Sequence, residues 1–340
     1  MADLPTRELG RTGLQVPVLG LGGAPLGDLY GRYTPEQAFG TIEKAWELGT
    51  RLFDTAPLYG HGLSEHRFGH VLRVKPRDSY VLSTKVGRWL TPHEPNSLDR
   101  GQWQGGLPMK WTYDYTYDGT RRAIDQSFQR LGIDRIDILL IHDIDIWSHG
   151  SREEYERQMP IAMNGAYKVL NELRQQGVIR AVGVGVNETE PCVRFATHCD
   201  IDCFLLAGRY TLLEQGGLDD LLPLAEKQKF SFLLGGPYNS GILATGPVPG
   251  AKYNYKDAPP EILERVRKIE AVCKRHDVPL AAAAIQFPLG HDRVASIIPG
   301  AVRPEEVEAN LSLMTRKIPS DLWAELKREG LLAEAAPVPG

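Results

Sequence analysis

Short, almost wholly apolar runs alternate along this chain with longer stretches in which apolar residues recur every three or four positions. The apolar runs fall near 18–22, 51–55, 80–86, 136–142, 180–186, 202–208, 231–235 and 294–299, and each reads as a strand buried on both faces. Helical spacing lies between them, near 35–48, 64–73, 119–131, 165–176, 189–198, 218–228, 261–276 and 304–313, with an additional stretch at 280–289. Eight strand–helix units in succession predict an α/β fold, a closed parallel (β/α)8 TIM barrel with its helices outside. A doubly wound open sheet is the alternative. Local punctuation agrees with the division, since Thr34 and Pro35 begin the first helix and Gly49 ends it.

Ahead of the first strand, residues 6–18 alternate around Gly10 and Thr12-Gly13, which predicts an N-terminal β-hairpin plugging the barrel. Three loops, 87–117, 143–163 and 236–258, are longer than closure of a barrel requires, and each follows a strand. All three therefore lie over the C-terminal face, where barrel enzymes keep their active sites. The first two carry Trp89, Trp103, Trp111 and Trp147, four of the six tryptophans, which favours a pocket with flat apolar walls. No internal repeat or linker divides the chain, so residues 1–340 read as a single domain.

Composition removes several function classes. A net charge of −4 offers no electrostatic footprint for nucleic acid or an anionic membrane. The N-terminus has no apolar signal core, and no run of about 18 apolar residues occurs. A soluble cytoplasmic protein is expected, its oligomeric state open. Four cysteines do not make a disulfide framework. Cys192, His198, Cys199 and Cys203 stand close together, but their spacing matches no common zinc pattern and reads as packing. No metal is expected.

The candidate chemistry sits at strand ends. The run 51–60 releases Asp54 and Tyr59 into one loop, the run 80–86 ends at Lys85, and the run 136–142 ends at His142. Singly, each has an ordinary explanation; together they converge on one mouth. A buried ammonium favours a phenolate beside it, so Lys85 is expected to lower the pKa of Tyr59. Asp54 would hold Lys85 charged and aimed, and His142 would hydrogen-bond a substrate oxygen. That is acid–base machinery for a carbonyl or an alcohol, with the electrons supplied or taken up elsewhere.

These residues also carry a resemblance. Phe-Asp-Thr-Ala-Pro-Leu-Tyr-Gly at 53–60, Arg-Leu-Gly-Ile-Asp-Arg-Ile-Asp-Ile-Leu-Leu-Ile-His at 130–142 and Ile-Ile-Pro-Gly-Ala-Val-Arg at 297–303 resemble the signatures of the aldo-keto reductase superfamily. The resemblance implies NADP or NAD bound without a Rossmann domain, hydride transfer at the 4-position of the nicotinamide, and Tyr59 as general acid or base. It further implies Gly23 and Ala24 beneath the nicotinamide, and Tyr210 stacked on it. The loop Pro237, Tyr238, Asn239, Ser240 and Gly241 would clasp the pyrophosphate, and Gly300, Arg303, Glu306 and Asn310 would hold the adenosine end. Where many relatives carry Ser-Asn and a Gln to grip the carboxamide, this chain reads Gly-Val-Gly-Val-Asn and Leu-Leu-Ala, leaving Asn187 as the candidate.

Further stretches, among them Gly183-Val-Gly-Val-Asn-Glu and Gly235-Gly-Pro-Tyr-Asn-Ser-Gly-Ile-Leu, resemble the branch of L-fucose and D-threo-aldose 1-dehydrogenases and pyridoxal 4-dehydrogenases. Both activities oxidise a cyclic hemiacetal to a lactone. The expected partner is a small sugar or aldehyde, and an aldopyranose of the L-fucose type is favoured because Trp89, Trp111 and Tyr113 offer faces while His93, Asn96 and Asp143 offer hydrogen bonds. Pyridoxal oxidation and general aldehyde reduction are the alternatives. Two readings from other classes are a cofactor-bound redox-sensing module and a metal-dependent hydrolase using His142, Asp143 and Asp145 with His61, His66 and His70.

Overall fold

The computed structural model describes residues 4–340; residues 1–3, included in the single-domain reading, lie outside the described residues. The strands Leu21–Gly22, Leu52–Asp54, Val81–Val86, Ile138–His142, Ala181–Val186, Cys203–Ala207, Ser231–Gly235 and Val294–Ile298 pair in sequence order, every neighbour parallel. Closure comes from residues 18–22, because Gly20 N–H donates to the Ile297 carbonyl and Ile297 N–H to that of Val18, both at 2.9 Å. The sheet is a barrel, and the open-sheet alternative fails on these bonds.

Strand alternation sorts the apolar residues into two cores. Leu52, Leu140, Leu205, Leu233 and Ala295 fill the barrel interior, together with Leu9, Leu14 and Val16 from the hairpin Thr6–Glu8/Gln15–Pro17. Phe53, Leu139, Ile141, Val182, Phe204 and Phe232 face outward under the helices. Arg7 locks the hairpin in place, donating to the carbonyls of Leu289, His291 and Val294. The plug therefore seals the N-terminal end and leaves the opposite end for chemistry.

The long loops hold more regular structure than expected. Residues 87–117 contain an antiparallel hairpin, Arg88–Pro92 with Met109–Tyr113, and residues 236–258 a short helix, Ile242–Thr245, and a small hairpin, Lys252–Tyr253/Lys256–Asp257. The stretch 143–163, read as loop, is largely helical: Ile146–His149, then Arg152–Ile161 running through a π turn, Ala162–Ala166, into Tyr167–Gln175. Pro160 lies inside the second of these helices. The π turn directly after it accommodates the missing N–H, and the overlooked start signal was Ser151, whose Oγ accepts from Glu154 N–H at 3.1 Å. The C-terminal tail adds one more helix, Ser320–Arg328. Among the described residues no helix is long and apolar enough to cross a membrane.

Candidate active site

The loop after the second strand is shaped by close backbone contact. Gly60 takes a left-handed conformation (φ 63°), and a Cβ on Gly27 would stand 2.5 Å from the backbone of Tyr59 and Gly60. Two glycines thus let the turn Pro25–Gly27 press on this loop and fix where Tyr59 emerges. Tyr59 meets Trp103 at 5.7 Å and His142 edge-on at 5.8 Å between ring centres.

Lys85 and Asp54 are 1% and 3% exposed, and Lys85 Nζ donates to Asp54 Oδ2 at 2.7 Å and to the Thr55 carbonyl at 2.8 Å. The ammonium lies 4.7 Å from the centre of the Tyr59 ring. On the next strands Gly185 leaves room for it, since a Cβ there would touch Lys85 Cε at 3.4 Å. The expected lowering of the phenol is not what this environment does. Burial pushes the Tyr59 phenol well above its ordinary value, and the charges of Asp54 and Asp143 add to that. The physical reason is burial, which the nearby Arg88 guanidinium does not offset; burial likewise raises the Asp54 carboxyl despite the Lys85 ammonium beside it. His142 moves the other way: burial first, then Arg88 and Lys85, press its pKa well below the usual imidazole value. Both shifts favour the neutral forms of the imidazole and the phenol.

A cavity of about 230 Å³ opens above these groups, lined by Tyr59, Lys85 and His142 at its base. Trp103, Trp147 and Tyr255 provide aromatic walls, while Gln102, Asp143, Ser148 and Asn187 provide hydrogen-bonding groups. Asp143 follows His142 directly yet both face the cavity, because its left-handed backbone (φ 53°) breaks the alternation of the strand.

Three expected wall residues are elsewhere. In the hairpin 88–92/109–113, Trp89 pairs opposite Thr112 and Leu90 opposite Trp111, so successive residues face opposite sides. Trp89 falls on the outer side, under the Arg122 guanidinium at 4.4 Å. Trp111 and Tyr113 fall on the inner side but pack on each other and on Arg88, one layer behind the cavity. His93 and Asn96 do not line it either. Sequence reasoning placed Trp103 and Trp147 over the mouth without choosing them, and missed Gln102, Ser148, Arg88 and Tyr255. Tyr255 arrives from the turn of a distant hairpin, for which spacing offers no signal.

The residues expected to bind a cofactor divide similarly. Ala24 and Asn187 line the cavity, and Gly23, just before Ala24, is fixed by its N–H to the Asp54 carbonyl at 2.8 Å. Tyr210 does not line the cavity. Its ring is buried against Phe287 at 5.5 Å, so it offers no face there, and the stacking expectation is corrected to a core role. Loop 237–241 turns sharply through left-handed Asn239, Ser240 and Gly241 after a buried Pro237. Asn239 accepts from Thr211 Oγ1 at 2.7 Å, and Tyr238 donates its hydroxyl to Asn310 at 2.7 Å, tying the loop to helix Pro304–Thr315. Glu306 caps that helix by accepting from Val302 N–H at 2.8 Å, Gly300 bridges to Gly22, and Arg303 stands exposed at the helix start without a partner among the described residues.

The sequence of residues 18–329 matches the model of the aldo/keto reductase family. The chain belongs to that family. As an aldo/keto reductase it is an NAD(P)-dependent oxidoreductase. It is 43% identical to a pyridoxal 4-dehydrogenase of Microbacterium luteolum, over 96% of this chain and 98% of that one. A D-threo-aldose 1-dehydrogenase of a Pseudomonas species is 38% identical, over 94% and 96%. The fold superposes on the holo form of an aldo-keto reductase from Bacillus halodurans with a TM-score of 0.75 at 24% identity, covering 98% of both chains.

The residues present fit a dinucleotide. Ala24, Gly185 and Ala207 line the cavity with almost no side-chain bulk, as a flat ring needs. Asn187 donates its amide to Asp143 and Asp145 at 3.2 Å, and its own Oδ1 accepts nothing among the described residues. That leaves an acceptor suited to a carboxamide NH2. The helix start at 304 with its unpaired Arg303 suits a phosphate.

Proposed function

We propose that this reductase oxidises the anomeric carbon of an aldopyranose of the L-fucose type to the lactone, with Asp54, Tyr59, Lys85 and His142 as its catalytic group. One observation supports this most: Tyr59, Lys85 and His142, with Asp54 bonded to Lys85 behind them, form the base of a cavity whose walls combine three aromatic faces with four hydrogen-bonding side chains. A pyranose presents C–H patches and hydroxyls in just such a mixture. Tyr59 takes the proton of the anomeric hydroxyl, and His142 Nε2–H steadies that oxygen. A bound NAD(P)+ would supply the acceptor for the hydride that leaves C1. Asn187 would hold the carboxamide, Gly23 and Ala24 would support the ring, residues 237–241 would hold the pyrophosphate, and Gly300, Arg303, Glu306 and Asn310 would hold the adenosine end.

A second reading, oxidation of pyridoxal at its 4-position, is supported by the 43% identical relative. A panel of L-fucose, D-arabinose, L-galactose and pyridoxal, followed by absorbance of the reduced nicotinamide, separates the two. Epimers that leave a buried hydroxyl partner unpaired should lose about 1–3 kcal/mol, roughly ten- to a hundred-fold in kcat/KM. Pyridoxal turned over far better than all three sugars would replace the sugar with the second reading.

Arg303 sets the choice between NADP and NAD in this proposal. Arg303→Ala should weaken NADP by about ten- to a hundred-fold, because a charge-assisted bond to the 2′-phosphate of about 1.5–3 kcal/mol is lost. NAD should change little. Equal losses in titrations with both would mean that the arginine packs on adenine instead.

A further inference from the structure

Behind the cavity lies a fully buried cation that the tetrad does not include. Arg88 follows the third strand, its guanidinium 4% exposed, and it makes three contacts at once. One NH2 group faces Asp143 Oδ2 at 2.8 Å and the Tyr113 hydroxyl, and the other lies 3.2 Å from His142 Nδ1. A guanidinium carries only donors, so the imidazole nitrogen facing it is the acceptor. Nδ1 therefore bears no proton, and the proton of the neutral ring sits on Nε2.

We propose that Arg88 is a positioning residue that fixes His142 as its Nε2–H tautomer and aims that N–H into the cavity. This rests on the reading of His142 as donor to the substrate oxygen. The alternative tautomer would turn a lone pair toward that oxygen and repel it. Arg88 also holds Asp143, whose Oδ1 stands 3.5 Å from Nε2 and 3.2 Å from the Asn187 amide, so one guanidinium sets two walls of the site. The other groups around the ring are Lys85 on the third strand, the Tyr59 phenol, and Tyr115, whose hydroxyl donates to the His142 carbonyl at 2.7 Å. Lys85 and Arg88 both disfavour a second proton. The ring is expected to stay neutral throughout the physiological range.

Nitrogen-15 spectra of the full chain labelled at histidine, with NADP bound, test this without substrate; the His142 signal is assigned by its loss in His142→Asn. A neutral ring protonated at Nε2 from pH 6 to pH 9 is expected. Arg88→Met should bring in the Nδ1–H form and lower kcat at least tenfold, with KM changed less than threefold, and Arg88→Lys should restore Nε2–H. A wild-type ring protonated at Nδ1, or an unchanged tautomer in Arg88→Met, overturns the proposal. Should Arg88→Met fail to fold, the wild-type spectrum still decides. Failure of every substrate in the panel would instead sink the proposed function and leave the tautomer result standing.

Discussion

Tyr59→Phe should lower kcat by about 10² or more while leaving cofactor affinity nearly unchanged. The substitution keeps the ring, and with it the contacts to Trp103 and His142 that hold its place at the cavity base. What disappears is the hydroxyl, which makes no hydrogen bond to another described residue, so folding loses little. The proposed proton transfer then has no group to perform it. Neutral His142, with its proton committed to Nε2, cannot take the anomeric proton in its stead. Steady-state rates on L-fucose and quenching of protein fluorescence by NADPH measure the two quantities separately. A variant within a few-fold of wild type would remove Tyr59 from the mechanism.

Lys85→Met should have two large effects, one on rate against pH and one on stability. The phenol is already raised by burial and by Asp54 and Asp143, so oxidation needs alkaline conditions to supply the base. Removing a cation 4.7 Å from the ring raises it further, and the rising limb of kcat/KM should move to higher pH. An unmoved limb with retained activity would make Lys85 purely structural. For stability, the substitution strands the Asp54 carboxylate, which is 3% exposed, at a cost of about 3–5 kcal/mol. The pH dependence has a definite sign. Asp54 already has a raised folded pKa, and without Lys85 it rises more, so the folded variant holds a proton that the unfolded chain releases. Its stability is therefore best below the ordinary carboxylate pKa and falls as pH rises toward the new folded value. Melting temperatures should show the deficit against wild type narrowing between pH 7 and pH 4.5. Adding Asp54→Asn should recover stability but not rate.

Much of the site could be read from particular residues. Asp54, Lys85 and His142 end apolar runs, and a parallel strand that is buried on both faces presents polar side chains chiefly near its ends, the C-terminal one being where barrel enzymes keep their chemistry. The helix near 304–313 was visible in its spacing, and the structure starts it at Pro304; the loop 237–241 entered only through the family resemblance. The helix Arg152–Ile161 was missed inside the stretch read as loop, and its Pro160 is accommodated by the π turn that follows.

The wall residues divide along a different line. Trp89 and Trp103 lie in the same loop, yet one is outside under Arg122 and the other beside Tyr59. Tyr210 looked like a stacking face until Phe287, far along the chain, claimed it for the core. The sequence alone therefore determined the barrel, the order of its strands and the side chains at their ends, since period and turn chemistry are properties of neighbouring residues. Only the tertiary structure decided which aromatic rings face the cavity, that Arg88 stands behind His142, and that the phenol is raised rather than lowered. Those outcomes depend on burial and on charges brought together across long separations in the chain, and a side chain's neighbours in space are not its neighbours in sequence.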